Sequence, residues 1–250
     1  MIVVIDHGPV REIRLNRPPV NALSTEFLAA IRQGIEDAPK QGARAVVLSG
    51  QPGIFSAGLD LPLLITLDRP AIERLWRELY ALIGALAVSE IPIAAAITGH
   101  APAGGTVTAL VCDYRVAAQG EFKLGVNEVQ VGIPLPPVII EVLRRQVGPR
   151  EAERLAVGGP IILAEEALKV GLVDELAPPD QVIERAIAWC RTLLSVPPHA
   201  MAETRRNARA DLVALFDHTE QEMRHAKETW WSEESQQTLK KVVERLRKKA

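Results

Sequence analysis

Three short stretches of this chain hold residue types that can do chemistry together. The first is P-A-G-G at 102–105, which follows the apolar run Ile93–Ile97 and precedes a second apolar segment at 106–112. Strand, glycine turn and helix in that order aim bare backbone N–H groups at one point. The first amides of a helix have no internal partner, and the helix dipole adds partial positive charge there. With no Cβ on Gly104 or Gly105, a ligand atom can approach those amides closely, so the stretch reads as an anion or oxyanion site, with a plain packing turn as the alternative. A phosphate loop fits less well: residues 99–106 match G-x-x-x-x-G-K-[ST] except at the lysine, where Gly105 stands.

The second stretch, P-G-I-F-S-A-G-L-D-L at 52–61, is another small-residue loop whose amides are free to donate. Asp60 beside it is a candidate base, or a cap for the turn or the helix that follows. The third is Glu128 in G-V-N-E-V-Q-V-G-I-P. Its neighbours Val126, Val129, Val131 and Ile133 are apolar. A desolvated carboxylate there would rise above its free pKa of ~4.3 and suit proton transfer near neutrality. An edge-strand glutamate facing water fits the same spacing.

The elements that must position these groups alternate along the chain. Residues 2–6 and Val10–Leu15 read as a hairpin across His7-Gly8-Pro9. Ser24 stands at an N-cap position ahead of Phe27, Leu28, Ile31 and Ile35 at helical spacing, and Pro39 and Gly42 end that helix. Ala45–Ser49 is a buried strand. Residues 63–87 are largely helical, with Trp76, Leu79, Tyr80, Leu82, Ile83 and Leu86 on one apolar face as core or pocket lining. A further strand follows at 115–118. Downstream, Pro137–Val147, 149–157 and Ala164–Val170 read as helices, 172–176 as a strand and 179–194 as a longer helix. A sheet covered by helices is the architecture this predicts. Val196-Pro197-Pro198 is the clearest boundary. It divides a core at 1–197 from a helical region at 198–250, whose end is basic through Lys240, Lys241, Arg245, Arg247, Lys248 and Lys249.

Composition narrows the classes. Of 250 residues, 48% are apolar, enough for a substantial core, and the formal charge of −2 argues against a generic nucleic-acid binder. Cys112 and Cys190 lie in apolar surroundings without metal-ligand spacing and read as buried thiols of a reducing compartment. No apolar run reaches the ~18 residues of a membrane span. With no visible targeting segment, the expected location is cytoplasmic, or the mitochondrial matrix if a transit peptide has been removed.

Taken together, F-S-A-G-L-D-L at 55–61, P-A-G-G with V-C-D-Y-R-V-A at 102–117, G-V-N-E-V-Q-V-G-I-P at 125–134 and N-R-P-P-V-N-A-L-S at 16–24 resemble the crotonase (enoyl-CoA hydratase/isomerase) superfamily. They are most similar to its Δ3,Δ2-enoyl-CoA isomerase branch. The resemblance implies an α/β fold, a spiral of ββα units with C-terminal helices that build a homotrimer or a dimer of trimers. It implies an acyl-CoA thioester substrate whose carbonyl rests on the amides of Ala57 and Gly104. Ser56, Gly58, Leu59, Asp60, Gly105, Val107 and Asn127 would line the substrate, with the 56–60 loop along the CoA moiety beside residues 16–23. Of the two glutamates that typical hydratases use, the first position is Val107 here and the second is Glu128. A single base implies double-bond migration in fatty-acid β-oxidation rather than hydration. No metal or redox cofactor is implied, since coenzyme A is part of the substrate. Two other functions compete: an enoyl-CoA hydratase or other crotonase-type enzyme, and, from a different class, an RNA-binding protein using the basic C-terminal helix. His100 and Asp113 read as structural. Ser56 lacks a His–acid pair and so does not read as a nucleophile.

Overall fold

The computed structural model describes residues 1–217 and 220–248. The chain starts with an antiparallel hairpin, β1 (Ile2–His7) and β2 (Val10–Leu15). Helix α1 (Thr25–Lys40) follows, and the Ser24 side chain accepts the Phe27 amide as its N-cap. Phe27, Leu28, Ile31 and Ile35 form its buried stripe, the repeat a helix needs to cover one face of a sheet. Pro39 does not end this helix but lies inside its last turn, and Gln41 is the C-cap.

Three similar units come next. The first is β3 (Ala45–Ser49), β4 (Gly53–Ile54), then α2 (Leu61–Leu64) and α3 (Arg69–Val88). The second is β5 (Ile93–Ile97), β6 (Gly99–Pro102) and α4 (Gly104–Leu110). The third is β7 (Tyr114–Ala118), β8 (Lys123–Gly125) and a 3-10 turn, Glu128–Val131. In each unit the first strand joins a large sheet and the second a small one. Helices α5 (Pro137–Val147) and α6 (Pro149–Gly158) lead to β9 (Ile162–Leu163), α7 (Ala164–Val170), β10 (Glu175–Ala177) and α8 (Val182–Leu194). The large sheet runs β1-β2-β3-β5-β7-β10 and the small one β4-β6-β8-β9. Beyond the hairpin the large sheet is parallel. Every residue of β3 and β5 is buried, as central strands covered on both faces require. This is the α/β spiral of ββα units expected from the sequence.

Several boundaries differ from the sequence reading. Residues 99–105 are not simply a turn. Gly99–Pro102 forms β6, because Gly99 lies against the Gly53 backbone, where a Cβ would come within 1.9 Å of the Gly53 carbonyl carbon. Helix α4 therefore begins at Gly104 rather than Thr106. The helix expected at 63–87 is two, because Asp68 caps a fresh start by accepting the Ala71 amide. The strand expected at 172–176 forms at Glu175–Ala177, and β9 had no signal.

Among the described residues, the region after the Val196-Pro197 boundary holds four helices, α9 (Pro198–Ala208), α10 (Ala210–Ala214), α11 (Glu220–Trp230) and α12 (Glu233–Arg247). They are fastened to the core. Asp113, at the end of the second unit, accepts from Arg205 at 2.8 Å and Arg209 at 2.9 Å, and also from the Ile93 amide. Leu212, Trp230 and Leu239 belong to the main hydrophobic core.

Candidate active site

The two small-residue loops meet. Leu23 donates to the Gly58 carbonyl at 2.8 Å and accepts from Asp60 at 3.1 Å. Gly58 and Asp60 thus bond toward Leu23, while the intervening Leu59 lines a cavity. A Cβ on Gly58 would stand 3.0 Å from the Gly104 nitrogen, and one on Gly104 would stand 3.7 Å from the Leu59 nitrogen. Among the described residues neither of these two amides has an acceptor. The Ala57 amide is different: it donates to the Val20 carbonyl at 3.0 Å. The free pair is therefore Leu59 and Gly104, not the Ala57 and Gly104 expected from sequence. Ala57 contributes only to the wall.

The other residues of the 56–60 loop build it. Ser56 is buried, donating to the Asn21 carbonyl and accepting the Gly58 amide. Asp60 caps α2 through the Leu63 amide and pairs with Arg17 at 2.7 Å, so the capping alternative describes its contacts. Gly105 packs against Ser56, where a Cβ would lie 2.4 Å from the carbonyl oxygen. Ser56, Gly58, Asp60 and Gly105 are not among the residues that line the cavity. The loop does run beside residues 16–23, as Asn21 donating to the Phe55 carbonyl shows.

Glu128 is brought to Gly104 by β8. The Gly125 carbonyl accepts the Ala103 amide at 2.7 Å, and the Gly125 amide donates to Thr106 Oγ1 at 2.9 Å. Three residues later the chain enters the 3-10 segment, closed by Gly132 in the left-handed conformation. Glu128 therefore starts a tight helical turn rather than an edge strand. The residue as a whole is partly exposed, but its Oε2 is completely buried, with no hydrogen-bond partner among the described residues. Burial pushes its carboxyl up to about 7, opposed only by its own backbone amide. Asn127 Oδ1 beside it is likewise buried and unpartnered. Val107, three residues after Gly104 on α4, presents an apolar side chain to the same space.

These groups face one cavity of about 200 Å³. Its remaining walls are largely apolar: Leu79 and Ile83 from α3 with the rings of Trp76 and Tyr80, Ile139 from α5, and Val242 and Leu246 from α12. The reach of α12 into the site carried no motif in the sequence. It comes from Ser235 donating to the Gly132 carbonyl at 2.5 Å, which seats α12 on the 3-10 turn. Lys240, Lys241, Arg245, Arg247 and Lys248 are exposed on that helix; Lys249 lies outside the described residues. His100 accepts the Lys123 amide and packs edge-on against Phe122, both contacts away from the cavity.

One carboxylate in an apolar-walled cavity, with two bare amides, on a spiral of ββα units, defines an enzyme of the crotonase type. The chain belongs to the enoyl-CoA hydratase/isomerase family, whose model matches residues 6–249. It is 34% identical to mitochondrial enoyl-CoA delta isomerase 1 of Mus musculus, over 99% of this chain and 88% of that protein. It is also 37% identical to a probable enoyl-CoA hydratase, EchA17, of Mycobacterium tuberculosis, over 75% and 72% respectively. Human mitochondrial delta3-delta2-enoyl-CoA isomerase superposes with a TM-score of 0.94 at 31% identity, covering 99% of this chain and 98% of that one.

Proposed function

We propose that this protein is a Δ3,Δ2-enoyl-CoA isomerase working with a single base. The observation that carries the reading is Glu128: a carboxylate with a buried, unpartnered oxygen, raised to about 7, in a cavity where Val107 offers no second acid. The ionised carboxylate takes a proton from C2 of a 3-enoyl-CoA. The C2–H electron pair moves toward the thioester carbonyl, giving a dienolate whose oxygen is held by the Leu59 and Gly104 amides. Each such donor is typically worth ~10²–10³ in rate. Protonated Glu128 then returns the proton at C4, and the double bond settles between C2 and C3. The base contributes ~10²–10⁴. Every step uses one carboxyl group and two amides, and coenzyme A enters as part of the substrate.

The mycobacterial relative supports a second reading, hydration of a 2-enoyl-CoA, in which Glu128 would need another group to hold the water. One assay separates the two, with wild type and Glu128→Gln side by side on a trans-3-enoyl-CoA and a trans-2-enoyl-CoA. The isomerase reading expects conjugation of the first, no hydration of the second, and a loss of at least ~10²-fold in the variant. Efficient formation of 3-hydroxyacyl-CoA would overturn it.

A further inference from the structure

The α3 wall of the cavity carries two polar tips that the isomerisation does not use. Trp76 and Tyr80 stand one turn apart, 2% and 5% exposed, and both line the cavity. Neither Trp76 Nε1 nor the Tyr80 hydroxyl has a hydrogen-bond partner among the described residues. Burial, and after it the Glu222 carboxylate of α11, push the Tyr80 phenol up, yet that carboxylate makes no hydrogen bond to it. Leu79, Ile83 and Ile139 are apolar, Trp230 meets Trp76 edge-on at 6.3 Å, and Glu222 of α11 accepts the Val138 amide. A buried donor left unpaired carries its full desolvation penalty. Phenylalanine at either position would fill the same wall without it.

We propose that the acyl end of this cavity selects chains bearing an oxygen beyond the reacting carbons, a hydroxyl, keto or ether group, to which Trp76 Nε1–H and the Tyr80 hydroxyl donate. The proposal deepens the acyl-CoA reading above and rests on it. A site built to donate hydrogen bonds discriminates strongly against a ligand that lacks the acceptor, whereas an apolar pocket discriminates weakly between chains that differ by one hydroxyl. The sign of the preference is therefore informative.

The test uses saturated ligands that cannot react: hexanoyl-CoA, 5-hydroxyhexanoyl-CoA and 6-hydroxyhexanoyl-CoA, titrated calorimetrically into the full-length protein, its Trp76→Phe and Tyr80→Phe variants, and the double variant. In wild type at least one hydroxylated ligand binds about fivefold or more tighter than hexanoyl-CoA, the range a net neutral hydrogen bond supplies. Each single variant shrinks that ratio, and the double variant reverses it, because the hydroxyl is then buried without a partner. A merely structural role for the two side chains would alter melting temperature and leave the ratio unmoved. Tighter binding of hexanoyl-CoA by wild type, or a ratio that survives in the double variant, would overturn the proposal while leaving the isomerase reading intact. Failure of all three ligands to bind would overturn the acyl-CoA reading, and this proposal with it.

Discussion

Burial of the Glu128 carboxyl suits the base the isomerase reading needs and is a cost to stability. With its pKa raised to about 7, the fraction present as base climbs through neutrality and levels off above it, and the isomerase reading expects kcat/KM to follow. For stability the sign is opposite. Between the usual 4.5 and about 7 the folded chain holds a proton that the unfolded chain has released, so Glu128 lowers stability progressively as pH rises through that window. Thermal melts of wild type and Glu128→Gln at pH 5 and pH 8 check this: the variant's relative stability is expected to be higher at pH 8. The sequence showed a glutamate among valines, but the same alternation suits a strand, and only the left-handed turn at Gly132 decides for a 3-10 segment. The choice between Ala57 and Leu59 was also out of reach. Both are small-loop residues, and which amide is free depends on Val20 and Leu23, far away in sequence, accepting or donating on one side of the loop.

At the scale of elements, α4 and the 56–60 loop are held at a fixed separation by backbone contact rather than by side chains. Gly105→Ala would drive a methyl into the Ser56 carbonyl, with no flexible neighbour to yield. Overpacking of this kind costs ~1–3 kcal/mol, and an ångström of displacement between reacting groups can cost ~10²-fold in rate. We expect a lower melting temperature together with a loss in kcat of that order, measurable in parallel. Such close packing is why the glycine loops were legible from sequence: few other residues fit. Strand β9 was not legible, since a pair at Ile162–Leu163 leaves no periodicity to read, and the break before α3 rests on one capping aspartate.

Across the whole molecule, the start of the C-terminal helical region, α9 and its junction with α10, is tied to the core by one acid. Asp113→Ala would leave Arg205 and Arg209, both largely buried, without their carboxylate. Breaking a buried pair in this way costs ~3–5 kcal/mol, so the variant should melt well below wild type. Asp6→Ala, which removes only the solvent-facing carboxylate partner of Arg11, should melt close to wild type. Helix α12 of the same region brings Val242 and Leu246 to the cavity, so any acyl chain bound there touches both the core and α12. Binding and helix docking are then linked, each favouring the other by an equal free energy. Occupancy should register far from the chemistry, as slower cleavage of the α12 segment by a protease when saturating acyl-CoA is present, and equal cleavage with free coenzyme A would show that the link is absent. With slower cleavage as the outcome, bound acyl-CoA would serve as a clasp on α12.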